Sequence, residues 1–317
     1  MAQRQAPGIA PAMRAIRLHA PGDPGRLVAE RLPTPRPGAG EALVRVHAAA
    51  ITRDELDWPA DRLPAIPSYE LSGVVAALGP GADGVTVGAA VYALGPFDRD
   101  GAAADYTLVP AALLAPKPRT LDHLASATVP LAGLSAWQGL FDHGELAAWQ
   151  RVVIHGAAGG VGSLAVQLAR WRGAHVVATT SAGNAQTARA LGADEVVEPP
   201  WTRLEDTAGQ VDLVFDTAGG ERLAASPALL RPGGRLVSVA EEPPSQATGG
   251  RGITARYFVV EPNREQLVEL ARLIDGGALR PLVGEVFPLA DARAAFTRSL
   301  GGHRPGKLVL RVADDPA

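Results

Sequence analysis

A chain of 317 residues is long for one hydrophobic core, so its length favours two domains. Its 47% hydrophobic and 20% charged residues are typical of a globular protein, and a net charge of −3 gives no electrostatic surface for nucleic acid or an anionic membrane. The absence of cysteine excludes disulfides, thiolate catalysis and every cysteine-ligated metal site.

The first residues, MAQRQAPGIAPAM, contain no apolar segment of the kind that signal peptides have. No later segment is apolar over a length that would span a bilayer. We therefore expect a cytoplasmic protein that does not bind membranes, with residues 1–12 as a flexible tail.

Short strand-like segments separated by Gly and Pro follow up to about residue 118. They are MRAIRLH (13–19), EALVRVHAAAI (41–51), ELSGVVAALG (70–79), AAVYAL (89–94) and ADYTLVP (104–110). Strands of this length at this spacing predict a small barrel or sandwich, to which we assign residues 13–128.

Strands and helices alternate over residues 129–286. The strands are predicted at 151–155, 174–180, 194–198, 211–220 and 233–240, and the helices at 159–173, 185–193 and 263–277. This alternation is typical of an α/β fold with a doubly wound parallel sheet. The last strand, GKLVLRV (306–312), is expected to return to the first domain with the rest of residues 287–317.

The segment VVIHGAAGGVGSLAVQLAR resembles a dinucleotide fingerprint, with Ala157 in place of the first glycine. A buried strand precedes the glycines and a helix follows them. Gly159 would let the backbone approach a pyrophosphate, and Gly162 would let the helix pack tightly on the strand. The free N–H groups at the start of the helix favour phosphate oxygens. The alternative is a tight glycine turn without a ligand.

The lack of an acidic residue after the glycine loop predicts which dinucleotide binds. Proteins that bind NAD place an acid about 20 residues after the glycines, but no Asp or Glu occurs from Leu146 to Ala193. Such an acid would repel a 2′-phosphate, so its absence favours NADP over NAD. Asn184 and Arg189 are the nearest polar candidates to bind that phosphate, with Thr180 and Ser181 as hydroxyl donors.

The chain resembles the medium-chain dehydrogenase/reductase superfamily, and more narrowly its zinc-free, quinone oxidoreductase-like branch, from Met13 to Val312. Several motifs in order carry the resemblance. They are PSYELSGVVAALGPG (67–81), PLAGLSAWQGL (130–140), HGAAGGVG (155–162), ALGADEVVE (190–198), DTAGG (216–220), RPGGRLVSV (231–239) and GKLVLRV (306–312).

The resemblance implies a GroES-like β-domain beside a Rossmann domain, with NADPH and a small-molecule substrate in the cleft between them. The residues it implies are Gly159, Gly160, Val161 and Gly162 at the pyrophosphate, Thr179, Thr180 and Ser181 at the adenosine ribose phosphate, Thr217, Ala218, Val239 and Ala240 at the nicotinamide, and Pro130 and Ser135 from the helix between the domains. It also implies a homodimer, through the sheet edge near residues 254–260.

Zinc-dependent members of the superfamily have a cysteine where this chain has Thr52 and a histidine where it has Tyr69. The seven histidines show no ligand spacing, so we expect no metal. Thr52 and Tyr69 are then the candidates to stabilise charge on a reduced substrate or to donate a proton. We expect Asp54 and Glu55 to form a solvated face or a local ion pair.

The leading hypothesis is a zinc-independent, NADPH-dependent oxidoreductase that transfers hydride to a quinone or an activated C=C bond. One alternative is a redox sensor that binds NADP without catalysis, because the Asn common in this branch is replaced at Thr52. The other is an NADP-dependent alcohol dehydrogenase or ketoreductase.

Overall fold

A computed structural model describes residues 4–5, 8–199, 204–245, 251–302 and 305–314. Within these residues the chain forms two large sheets and a separate hairpin. No helix in this part of the chain is both long and apolar enough to span a membrane.

The first eight strands precede residue 117, where short apolar segments alternate with Gly and Pro turns. They are β1 (Arg4–Gln5), β2 (Ala12–Leu18), β3 (Leu27–Pro33), β4 (Glu41–Ile51), β5 (Glu70–Leu78), β6 (Ala90–Leu94), β7 (Tyr106–Pro110) and β8 (Ala115–Pro116). Strands β2 and β3 form the hairpin, and the others pair antiparallel in the first large sheet.

A helical connection leads from the first sheet to the second. It consists of α1 (His123–Ala127), α2 (Pro130–Trp137) and a π-helical segment (Gln138–His143) that continues α2. Proline suits the first position of α2 because no helical hydrogen bond needs its missing N–H.

The second sheet has six strands, all parallel, in the order β11-β10-β9-β12-β13-β14. The strands are β9 (Arg151–His155), β10 (His175–Thr179), β11 (Glu195–Val197), β12 (Val211–Asp216), β13 (Leu230–Ser238) and β14 (Thr254–Tyr257). The helices are α3 (Gly160–Arg172), α4 (Ala185–Ala190), α5 (Leu204–Ala208), α6 (Glu221–Leu229) and α7 (Arg264–Asp275). The order reverses beside β9, and ligands of open parallel sheets bind at such a reversal.

The end of the chain lies in the first sheet. After β15 (Val283–Pro288) and α8 (Ala292–Leu300), β16 (Lys307–Arg311) pairs parallel with β15 and antiparallel with β4. The main path of this sheet is therefore β15-β16-β4-β5-β6-β8. Gly306 donates its N–H to the carbonyl of Ala158 at 3.1 Å, so the last strand begins against the glycine loop of the second sheet.

The tail expected over residues 1–12 contains structure. Arg4 and Gln5 pair with Leu78 and Ala77, because β6 covers β5 only as far as Val74 and leaves backbone groups open beyond it. Residues 1–3, 6 and 7 lie outside the described part of the chain.

Two further differences from the predicted elements have local causes. Strand β13 begins at Leu230 and not at residue 233, because a bulge accommodates the intervening turn-forming residues between its two pairings with β12. Helix α6 was not predicted, since its nine residues include Pro227 and show no long apolar periodicity.

Candidate active site

The glycine loop joins β9 to α3 and presents the start of that helix to the cleft. Gly159 is the N-cap residue, and Gly159, Gly160 and Val161 are all partly exposed. Gly162 is buried, and a Cβ there would clash with the carbonyl oxygen of Gly156. Accessible amide donors and a backbone that only glycine permits form a cradle that fits a dinucleotide pyrophosphate.

The turns after β12 and β13 lie beside this loop and are braced by Asp216. This buried carboxylate accepts hydrogen bonds from the Gly219 N–H at 2.9 Å and the Ser238 hydroxyl at 3.1 Å. Burial raises the pKa of Asp216, although these donors act against the change. Asp216 thereby links the turn after β12 to the turn after β13.

The four residues expected at the nicotinamide lie on these turns. Thr217 and Ala218 follow Asp216, and Val239 and Ala240 follow Ser238; all four are at least partly exposed. The Thr217 hydroxyl donates to the carbonyl of His155 at 2.7 Å, which ties its turn to the end of β9. The sequence-predicted residues are therefore brought together at one edge of the sheet.

The residues expected at the adenosine ribose differ in their accessibility. Thr179 and Thr180 are buried, whereas Ser181 and Asn184 are partly exposed. The Asn184 side-chain amide donates to the Ser181 hydroxyl at 2.8 Å, so the Ser181 proton remains available to a ligand oxygen. Ser181 and Asn184 thus offer the accessible polar groups of this predicted set.

His155 fixes the end of β10 from inside the protein. The Ser226 hydroxyl donates to the Arg222 carbonyl, so it accepts from His155 Nε2, which leaves Nδ1 to accept from the Thr179 hydroxyl at 2.8 Å. Burial lowers the pKa of His155 to about 3 and keeps the ring neutral. His155 therefore positions Thr179, and its ring is occupied on both nitrogens.

A buried cluster around Lys307, which sequence reasoning missed, joins the two domains. The Lys307 ammonium forms an ion pair with Glu70 and donates to the Thr52 hydroxyl at 3.1 Å. A Cβ on Gly160 would stand 2.6 Å from Lys307 Cγ, so the lysine stem lies directly on the glycine loop. The other Glu70 oxygen accepts the Leu131 N–H at 2.9 Å, next to the start of α2.

The sequence offers one signal for Lys307: it is a basic residue at the start of the otherwise apolar strand segment GKLVLRV, ahead of Arg311. Nothing in the sequence shows that this strand crosses to the glycine loop. Thr52 is partly exposed, so the cluster brings one hydroxyl group to the cleft with an ammonium group behind it. Pro130 and Ser135 lie buried on α2, and Pro130 directly precedes Leu131, whose N–H donates to Glu70.

Glu55 is buried beside this cluster, so the expectation of a solvated face or local ion pair was wrong for this residue. Its side chain is 1% exposed and accepts the Thr52 N–H at 3.2 Å. Burial raises the pKa of Glu55 to about 8, against the lowering effect of Lys307. The three-residue spacing turns Glu55 back under Thr52, whereas Asp54 faces solvent.

Tyr69 belongs to an aromatic wall that also contains Trp58 and Phe97, with ring centroids 5.1–5.6 Å apart. Its hydroxyl accepts a hydrogen bond from Arg62 at 2.7 Å, and burial raises its pKa. Trp58 and Phe97 pack against the hydrophobic cluster that Val239 also contacts. The wall therefore packs on a cluster that contains residues of both domains.

The residues that the structure describes include no group of three or more His, Asp or Glu side chains placed to hold a metal ion. Thr52 and Tyr69, at the positions of two zinc ligands, offer a hydroxyl bound to Lys307 and a hydroxyl bound to Arg62.

The fold combines a parallel sheet of the dinucleotide-binding type with a mixed β-domain, and the glycine loop lies at their junction. This arrangement is that of a two-domain oxidoreductase that uses a nicotinamide cofactor. Residues 38–119 match the family described as "Alcohol dehydrogenase GroES-like domain", and residues 191–310 match "Zinc-binding dehydrogenase". The chain belongs to the medium-chain dehydrogenase/reductase superfamily, which confirms the predicted resemblance and fold class.

Several of its relatives carry oxidoreductase names. A "Probable zinc-binding oxidoreductase, mitochondrial" of Arthroderma benhamiae is 32% identical over 90% of this chain and 93% of its own. An "NADPH-dependent alkenal/one oxidoreductase, chloroplastic" of Arabidopsis thaliana is 33% identical over 85% and 72%. The structure of a quinone oxidoreductase from Coxiella burnetii superposes with a TM-score of 0.88 at 30% identity, covering 95% of this chain and 99% of that one.

Proposed function

We propose that this oxidoreductase transfers hydride from NADPH to a quinone or to the activated C=C bond of an enone or enal, without zinc. The main support for the proposal is that the hydrogen-bonded pair of Lys307 and Thr52 lies against the glycine loop. Support for the substrate class comes from the printed names of an alkenal/one reductase and a quinone oxidoreductase among the relatives. A homodimer and a cytoplasmic location remain predictions.

When bound, the reduced nicotinamide supplies the hydride, and the chain supplies position and electrostatics. Reduction of a carbonyl-conjugated acceptor builds negative charge on its oxygen. Because the Thr52 hydroxyl already accepts from Lys307, its own proton is available to donate to that oxygen. The Lys307 charge then stabilises the hydroxyl as it donates, in a buried setting where a charge acts strongly.

The partly exposed rings of Trp58 and Phe97, which pack edge to face on each other and against Tyr69, offer an aromatic surface for a conjugated substrate opposite the nicotinamide. Because Tyr69 is 1% exposed whereas Thr52 is partly exposed, we assign Tyr69 to this wall and the proton donation to Thr52. The partly exposed residues Thr217, Ala218, Val239 and Ala240 would complete the other side of the pocket.

The test is the oxidation of NADPH by the purified chain with a panel of quinones, enones, enals, ketones and aldehydes. We expect turnover with the conjugated acceptors, and Thr52→Val to lower kcat about 100-fold because it removes one donor to a developing oxyanion. Thr52→Ser keeps the hydroxyl and is the matched control. Full activity of the valine variant would reject Thr52 as the donor, and reduction of ketones alone would replace the proposed substrate class.

A further inference from the structure

A carboxylate from a neighbouring strand lies at the adenosine end of the glycine-loop site. The Gly183 N–H donates to Glu198 Oε1 at 2.7 Å. Gly183 belongs to the turn after β10 that also contains Ser181 and Asn184, the accessible polar residues of this corner. Glu198 directly follows β11 and lies outside the stretch from Leu146 to Ala193, which contains no acid.

The sheet explains how Glu198 reaches this turn. Strand β11 is the parallel neighbour of β10, with Thr179 opposite Val197. The Thr180 N–H donates to the Val197 carbonyl at 3.2 Å, so the two strand ends stay paired one residue further. Glu198 therefore leaves its strand directly beside Thr180–Gly183, at the level where parallel sheets bind the adenosine ribose.

A carboxylate and a phosphate compete for the same partners at this corner. The Gly183 N–H is a donor suited to an anion, and Glu198 already satisfies it. A carboxylate accepts hydrogen bonds from ribose hydroxyls, which is how an acid selects NAD in many dinucleotide sites. The same charge repels a 2′-phosphate, which itself carries close to two negative charges.

We propose that Glu198 is a specificity-determining residue of the cofactor site, which disfavours the 2′-phosphate of NADPH relative to the free 2′-hydroxyl of NADH. This rests on the proposed binding of a nicotinamide dinucleotide at the glycine loop. Glu198 accordingly reduces the preference for NADPH over NADH that the missing acid at the end of β10 favours.

The charge of Glu198 can be separated from its structural role. Glu198→Gln keeps an oxygen that accepts the Gly183 N–H and removes only the negative charge. Glu265→Gln makes the same change on the exposed start of α7 and serves as the control. The dissociation constants of NADPH and NADH are measured for the full chain from nicotinamide fluorescence, at low and high salt.

We expect Glu198→Gln to tighten NADPH binding about fivefold while NADH binding stays equal or weakens. The gain should shrink at high salt, since the corner is partly exposed and its charges are screened. Glu265→Gln should leave the ratio of the two constants unchanged. A ratio that moves less than twofold in Glu198→Gln, with or without a loss of thermal stability, overturns the proposal. If wild type and control bind neither nucleotide, the proposed function fails as well.

Discussion

The Lys307 ammonium and the Glu70 carboxylate form a buried ion pair, with side chains 8% and 1% exposed, between the last strand and β5. Glu70 also accepts the Leu131 N–H, and the lysine stem rests on Gly160. One pair of charges thus ties together the first sheet, the helical connection and the glycine loop. Its loss should affect stability and the cofactor site together.

Removing either partner leaves an uncompensated buried charge, so Lys307→Met and Glu70→Gln should each lower the free energy of unfolding by about 3–5 kcal/mol. The double variant should lose less than the sum of the two, which a double-mutant cycle in urea measures. Arg272→Met, which breaks the exposed pair with Glu269, should leave stability close to that of the wild type because solvent screens this pair. Additive losses at Lys307 and Glu70 would contradict a coupled pair.

Glu55 should make stability fall as pH rises. Its folded pKa of about 8 lies above its ordinary value of 4.5, so its contribution is complete below pH 4.5 and is lost as the pH rises toward 8. Glu55→Gln removes this dependence and should exceed the wild type by on the order of 3 kcal/mol at pH 7. Lys307, Glu70 and Asp54 are the charges that act on the carboxyl.

Urea unfolding of both proteins across this pH range measures the effect. Glu265→Gln alters an exposed carboxylate on α7 that is not among the charges acting on Glu55, and it should leave the slope of stability against pH as in the wild type. Equal slopes for the wild type and Glu55→Gln would show that Glu55 is ionised in the folded protein at neutral pH.

Gly162 should tolerate no side chain. The Cβ of Gly162→Ala would press on the Gly156 carbonyl and push α3 away from the loop, at a cost of about 1–3 kcal/mol and with weaker nucleotide binding. Thermal unfolding and nucleotide fluorescence test both effects. Gly301→Ala, at an ordinary backbone conformation where a Cβ meets only van der Waals contacts with Arg298, should change stability by less than about 0.5 kcal/mol. A Gly162→Ala variant as stable as the wild type would refute the close packing.

Tyr69→Phe should leave kcat within about threefold of the wild type, because the phenol is buried and its hydroxyl has no exposed path to the substrate oxygen. Trp58→Ala should raise KM through the loss of an aromatic contact surface near the substrate, with a smaller effect on kcat. Steady-state kinetics with one conjugated acceptor separates the two. A 100-fold loss of kcat in Tyr69→Phe would instead make Tyr69 the proton donor.

The local patterns determined the second sheet and its glycine loop. Strand β9, the glycines and α3 are consecutive in sequence, so their chemistry follows from periodicity and spacing alone. The same holds for the strand ends at Thr217 and Val239, since parallel strands place their carboxyl ends at one edge.

Only the tertiary structure decided where the charged side chains lie and which of them are buried. Lys307 and Thr52 are 255 residues apart, and no local pattern shows that β16 runs antiparallel to β4 and starts at the glycine loop. The sequence shows Glu55 only as an acidic residue, whereas its burial comes from the turn that folds it under Thr52. Glu198 reaches the end of β10 only because β11 is its neighbour in the sheet. Electrostatic interactions depend on distance and burial, which the fold sets, whereas hydrophobic periodicity and glycine turns are written along the chain itself.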